Sequence, residues 1–312
     1  MMARTLVFIV GVLAALPAAA QTPVVSLKAP GEVGATTISS RGDKIAAVVG
    51  KDRVAIWSLP DGKLIQELKF PQRPIATLFA PGDEIVVALA DGPIEVRAIA
   101  TGSAVRRMDA GTGQDVLAVS ADGRLFASSG TEQIRLWDAS GKLLRTFGHE
   151  FGSMGGLAFS PDGTLLASAG YDTNVHLWDV PTGVQKASMR DRLLATFAVA
   201  FTADGKSLVI GGVSGAIEIV DVQTASVVRR LPAEKYALIG LSLAADGRSA
   251  GAVYMDVDGM TRPAPLVVWE LASGRVKERM TAPGPPPAVG FAADGRFLYA
   301  TTKGPELAVW VR

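Results

Sequence analysis

The sequence predicts an all-β fold: a seven-bladed β-propeller of four-stranded antiparallel blades, closed by an N-terminal strand that completes the last blade. Three observations predict it. A turn followed by an apolar run recurs about every forty residues, and each copy divides into short strand-like stretches. The last copy stops after its third stretch, and a match for the missing fourth lies near the N-terminus.

The repeated segments are SSRGDKIAAVV, FAPGDEIVVAL, VSADGRLFASS, FSPDGTLLASA, FTADGKSLVIG, LAADGRSAGAV and FAADGRFLYAT. Their aligned positions, Ser40, Ala80, Ser120, Ser160, Thr202, Ala244 and Ala292, are spaced by 40, 40, 40, 42, 42 and 48 residues. Within a copy, one apolar stretch precedes the turn, as in Phe197 to Phe201, and a second follows it, as in Leu165 to Ala169. A third ends in an aromatic, as in Asn174 to Trp178, and a fourth follows a glycine turn, as in Val184 to Met189. Short strands with turn signals every 8 to 12 residues specify a sandwich, barrel or propeller, and the long repeat selects the propeller.

Turn chemistry agrees with this reading. Ser160-Pro161-Asp162-Gly163 places proline second and glycine fourth, as a type I turn favours. Five copies carry Asp-Gly, whereas the first two read as inverted, Gly42-Asp43 and Gly82-Asp83, which predicts a changed turn type on an unchanged hairpin. In the strand before the turn, alternate positions are mostly small, for example Ala118, Ala158, Ala200 and Gly290. Side chains alternate along a strand, so these share one face, and small residues suit sheets converging on an axis. This strand is therefore expected innermost.

The closing strand is PVVSLKAP, from Pro23 to Pro30, which matches the fourth-strand segment KLIQELKFP down to its Leu-Lys pair, Leu27-Lys28 against Leu68-Lys69. Pairing the chain ends removes two exposed sheet edges. Residues 1–20, with Arg4, an apolar run from Leu6 to Leu16 and then Ala18-Ala19-Ala20, read as a secretory signal cleaved after Ala20, since the run is too short to span a bilayer. The expectation is one propeller over residues 21–312, periplasmic or secreted.

The stretches SPDGTLLASAGYDTNVHLWDVPTG, from Ser160 to Gly183, and SADGRLFASSGTEQIRLWDASG, from Ser120 to Gly141, resemble WD (tryptophan-aspartate) repeats of an exported bacterial type. Elsewhere the pattern is degenerate: the Trp position holds Trp57, Arg97, Trp137, Trp178, Val220, Trp269 and Trp310. The resemblance implies a structural hydrogen-bond tetrad of His149, Ser168, Asp172 and Trp178. It also implies a scaffold that binds partners on the rim made by the fourth-to-first and second-to-third strand connections.

Composition removes many chemistries. With no Cys and only His149 and His176, there are no thiolate metal sites, no Cys nucleophile and little for acid-base work. The formal charge of +1 gives no footprint for nucleic acid, and no later segment is long and charge-free enough to span a membrane. Ser168 lacks the elbow of a hydrolase nucleophile, and His176, two residues before Trp178, reads as structural or exposed. Asp256-x-Asp258-Gly259 reads as a hairpin turn, having no EF-hand glutamate, and APGPPPA (Ala282 to Ala288) as a stiff connection. No cofactor and no metal is expected.

On the rim connections the sequence places Arg73, Phe151, Met154, Tyr171, Arg190, Arg192, Tyr236, Tyr254 and Met255, residue types enriched at interfaces. The leading expectation is a monomeric, non-catalytic interaction platform for an envelope protein or peptide. The alternatives are a propeller enzyme or cofactor carrier, lactonase-like or quinone-dependent, acting in the central channel, and a sugar site in which exposed Tyr254 and Trp269 stack.

Overall fold

The computed structural model describes residues 25–59, 61–90, 92–111, 116–129, 133–148, 154–170, 172–189, 195–255, 265–281, 288–291, 297–303 and 306–311. The described residues contain twenty-eight strands in seven four-stranded antiparallel sheets. After β1 (Val25–Lys28), the first sheet comprises β2 (Val33–Ile38), β3 (Lys44–Val49), β4 (Arg53–Ser58) and β5 (Leu64–Lys69). The second comprises β6 (Pro74–Ala80), β7 (Glu84–Leu89), β8 (Ile94–Ala98) and β9 (Ala104–Met108). The third comprises β10 (Val116–Val119), β11 (Leu125–Ser129), β12 (Gln133–Asp138) and β13 (Leu143–Gly148), and the fourth β14 (Met154–Phe159), β15 (Leu165–Gly170), β16 (Val175–Asp179) and β17 (Gln185–Met189). The fifth comprises β18 (Thr196–Phe201), β19 (Ser207–Gly212), β20 (Ile217–Asp221) and β21 (Ser226–Arg230), and the sixth β22 (Ala237–Leu243), β23 (Ser249–Met255), β24 (Pro265–Glu270) and β25 (Arg275–Thr281). Then come β26 (Ala288–Phe291), β27 (Phe297–Lys303) and β28 (Glu306–Val311).

Six sheets use four consecutive strands each, and the remaining sheet is composite, in the order β1-β28-β27-β26. Its outer pair is held by the register Leu27↔Leu307, with both leucines buried. Gly62, in the turn after β4, has φ +69°, and a Cβ there would sit 2.3 Å from Val25. Gly102 stands in the same relation to Leu68 of β5, so β1 occupies the outer-strand place beside the first sheet that β5 occupies beside the second.

The first strands touch around a closed circuit, β2 to β6, β10, β14, β18, β22, β26 and back to β2. At the last step a Cβ on Gly290 would lie 3.5 Å from Ile38. Small residues matter most where two inner strands cross closely: a Cβ on Gly155 would fall 2.6 Å from the Thr196 carbonyl oxygen. Between neighbouring sheets lies an apolar layer. Leu136 and Phe147 of the third sheet, for instance, pack with Leu166 and Trp178 of the fourth, the Phe147 and Trp178 rings 5.4 Å apart. Leu27, Leu307 and Val309 of the composite sheet pack with Ile45 and Trp57 of the first. Trp57, Trp137, Trp178 and Trp269 are all buried in such layers.

Register corrects two expectations. In the first repeat the aligned turn residue is Ser39, not Ser40: Ser39 N–H bonds Lys44 O and Gly42 N–H bonds Ser39 O, as Ser120 N–H bonds Leu125 O and Gly123 N–H bonds Ser120 O. Two adjacent serines disguised a one-residue slip, and Gly42 at φ 68° matches Gly123 at φ 72°, so this turn is not inverted. The second repeat does differ, with Gly82 and Asp83 both at positive φ, 84° and 60°. In the other sheets the packing residue faces the residue three places after the turn glycine, as Trp137 faces Phe126 and Trp178 faces Leu166. In the composite sheet the outer strand sets the phase: Leu27 pairs with Leu307 as Leu68 pairs with Val54, and three places beyond these stand Trp310 and Trp57, so register leaves the packing position to Trp310.

Candidate partner-binding rim

The rim is best defined where the connection from β21 meets β22. Gly215, at φ +70°, lies beneath this connection, and a Cβ on it would sit 2.1 Å from the Glu234 carbonyl oxygen and 2.5 Å from that of Tyr236. Glycine is thus what lets the connection descend onto the turn between β19 and β20, where Glu234 N–H bonds Gly215 O at 3.0 Å. The Glu234 carboxylate accepts two bonds from Arg279 on β25, from Nη1 at 3.0 Å and Nη2 at 2.5 Å. That fork-to-fork geometry raises the Arg279 pKa, its hydrogen bond to Glu234 outweighing desolvation.

Fixed at both ends of its short span, the connection presents Lys235 and Tyr236. The Lys235 ammonium lies 4.7 Å from the centroid of the Tyr236 ring. Tyr236 is half-buried, its ring packing on the cluster of Leu238, Tyr254 and Trp269. Met255, also half-buried, pairs with Ala237 and borders the same spot. The result is an aromatic platform with one cation above it and a thioether beside it.

Of the other rim residues, Arg73 is exposed on the connection between β5 and β6, whose main chain is tied by Ala90 N–H to Arg73 O at 2.9 Å. Met154 begins β14. Phe151, Tyr171, Arg190 and Arg192 lie outside the described residues, as do residues 1–20, 256–260 and 282–287. Tyr254 is a correction: it is fully buried, and its hydroxyl oxygen accepts from Trp269 Nε1 at 3.2 Å. Strand β23 runs on to Met255, so alternation turns Tyr254 inward, and neither Tyr254 nor Trp269 is available to stack on a sugar. Glu234, Lys235 and Arg279 were missed by the sequence reading. Lys235 had a local signal beside an aromatic, whereas Arg279 is 45 residues from its partner.

Part of the tetrad is present. Trp178 Nε1 donates to Ser168 Oγ at 2.9 Å, with Ser168 fully buried. Among the described residues the Asp172 carboxylate meets His176 Nε2 at 3.0 Å, and His149 lies outside them. His176 and Trp178 share a face, their rings 5.7 Å apart, which makes His176 a packed residue of the sheet. Among the described residues no group of three or more His, Cys, Asp and Glu could hold a metal, and no helix is long and apolar enough to cross a membrane.

A ring of four-stranded antiparallel sheets about an axis is a β-propeller. The same fold occurs in a chain of the structure titled "Crystal Structure of Mitotic Checkpoint Complex", with a TM-score of 0.80 and 18% identity, over 93% of this chain and 95% of that one. Within the propeller, the family model "WD domain, G-beta repeat" matches residues 98–138 and 141–179. The chain is 24% identical to "APC/C activator protein CDC20" of Saccharomyces cerevisiae over 162 residues, 50% of this chain and 27% of the relative. It is 27% identical to "Uncharacterized WD repeat-containing protein sll1491" of Synechocystis sp. over 139 residues, 43% of this chain and 40% of the relative. The matched stretches thus span less than half the length of either curated relative.

Proposed function

We propose that this protein is a non-catalytic interaction platform that binds an extended segment of another protein on the rim around Tyr236. The observation that carries the reading is the Lys235–Tyr236 platform, held in place by Gly215 below and by the Glu234–Arg279 pair beside it. Preorganised aromatic and cationic side chains bind at small entropic cost, because little is left to order on association. The WD repeat matches and the likeness to a chain of the mitotic checkpoint complex support a protein partner. The rim would extend through Arg73, Met255 and Met154 to Phe151, Tyr171, Arg190 and Arg192. Cleavage after Ala20 would place the platform in the periplasm or outside the cell, with an envelope protein or peptide as partner.

A photo-crosslinking residue at position 235, expressed in the source cell, tests this reading. A discrete adduct from position 235, absent from the same residue at Lys186 on outer strand β17, supports it. Equal adducts from both positions, or none from position 235, contradict it.

A further inference from the structure

On the face opposite that rim, where first strands turn into second strands, a cleft of about 690 Å³ opens between the tips of the first three sheets. Its origin lies in the second repeat. Five residues (80–84) separate the paired Phe79 and Ile85, whereas six (39–44 and 120–125) separate Ile38 from Ile45 and Val119 from Phe126. The second tip is therefore one residue shorter than both neighbours, and Gly82 and Asp83 must adopt positive φ to close it. A short tip between two longer ones leaves a notch.

The floor of the notch is apolar. Ile38, Leu78, Phe79 and Val119 line it and remain partly exposed, unlike the buried side chains of the second strands. Its charged groups are nearly all engaged with one another. Lys44 Nζ bridges Asp83 at 2.9 Å and Asp43 at 3.6 Å, and Asp43 accepts from Ser39 Oγ at 2.8 Å. Against desolvation, the Ser39 hydrogen bond and then the Lys44 charge hold the Asp43 pKa low, with a smaller contribution from the exposed Arg41 guanidinium on the lip, which has no hydrogen-bond or ion-pair partner among the described residues. A planar cation without a partner among the described residues, at the edge of an apolar floor, complements a carboxylate attached to an apolar group. The exposed Ser40 and the main chain of the short tip add polar contacts that amide groups could use. The volume is in the range of ligand clefts, roughly 300–1,000 Å³.

We propose that this cleft binds the C-terminal end of a polypeptide whose last residue is apolar, with the terminal carboxylate on Arg41 and the last side chain on Phe79 and Leu78. The polar lip favours a peptide over a fatty acid, which would leave those groups unpaired. The purified chain is titrated calorimetrically with the peptide acetyl-Gly-Ser-Leu-Val, as free acid and as C-terminal amide, and with dodecanoate. The acid should bind at least tenfold more tightly than the amide, and Arg41→Gln should abolish that difference without lowering the melting temperature. Arg124→Gln, an exposed arginine on the neighbouring tip, and Tyr236→Ala, on the opposite rim, should leave it intact. Equal or absent binding of acid and amide, indifference to Arg41→Gln, or tighter binding of dodecanoate than of the peptide would overturn the proposal. Because Tyr236→Ala acts only on the rim, failure here leaves the rim reading standing, and the reverse also holds.

Discussion

The Trp269 indole donates to the Tyr254 hydroxyl at 3.2 Å, the role that Ser168 fills for Trp178 at 2.9 Å and Ser128 for Trp137 at 3.2 Å. Leu166 pairs with Trp178, and Ser168 stands two residues further along β15. Ala250 pairs with Trp269, so the equivalent place is Ala252, a residue without an acceptor. Tyr254, two residues beyond on the same face, supplies the oxygen from further away. Tyr254→Phe keeps the ring but strips the buried indole of its acceptor, and should lower stability by about 1–3 kcal/mol in urea unfolding. Ser168→Ala should act alike, whereas an unchanged Tyr254→Phe midpoint would mean that Trp269 needs no partner.

Burial raises the Tyr254 pKa above its usual value near 10, the bond from Trp269 offsets part of that rise, and the Glu234 charge adds to it. A phenol with a raised folded-state pKa contributes stability that is complete below about pH 10 and is lost as pH rises through the folded value. Wild type should therefore lose stability above pH 10 more steeply than Tyr254→Phe. Parallel alkaline curves for the two proteins would exclude the effect.

The turn aspartates give the opposite slope. The Ser160 hydroxyl, then the Thr164 N–H, hold the Asp162 pKa below 3.8, and Thr202 and Lys206 do the same for Asp204. A depressed carboxylate stabilises the fold above its unfolded pKa and loses that effect as pH falls through the folded value. Asp162→Asn should flatten the fall in urea midpoint below pH 3.8, and an unaltered acid limb would show that Asp162 contributes nothing to it.

Ser39 Oγ accepts from Asp43 N–H at 3.2 Å and Lys44 N–H at 3.0 Å, while Ser40 is exposed. Ser39→Ala should cost about 1 kcal/mol in thermal or urea unfolding. Ser40→Ala should lie within about 0.5 kcal/mol of wild type. The reverse ranking would restore the alignment through Ser40.

Where inner strands cross, the two glycines at Gly155 and Gly240 should respond differently to alanine. A Cβ on Gly155 meets main-chain atoms at 2.6 and 2.7 Å, which cannot yield cheaply, whereas on Gly240 the nearest atom is a side-chain carbon at 3.7 Å. Gly155→Ala should cost about 1–3 kcal/mol, and Gly240→Ala far less. Equal melting temperatures for the two variants would show that the β14–β18 crossing has slack.

Features fixed by local chemistry were legible in the sequence. The Asp-Gly turns and the small inner strands follow from residues within a few places of one another, and the resemblance to WD repeats grouped Trp178 with Ser168 across ten residues. Features fixed by register were not. Two consecutive serines hid the slip at Ser39, and β23, one residue longer than β3, β7, β15 or β19, runs on to Met255 and leaves Tyr254 in the core rather than on the rim. The Glu234–Arg279 pair depends on bringing β25 beside the connection after β21, which no local pattern announces. The cleft beside Phe79 follows from a turn one residue short, visible only against the paired strands on either side.

The most direct test of the central claim is affinity capture by the chain from an extract of its source cells, with the double variant Lys235→Ala, Tyr236→Ala run in parallel and bound proteins identified by mass spectrometry. Wild type should hold a stoichiometric protein that the variant loses, with the two melting temperatures within a few degrees of each other. A protein retained equally by both, or capture of a small molecule alone, would contradict it.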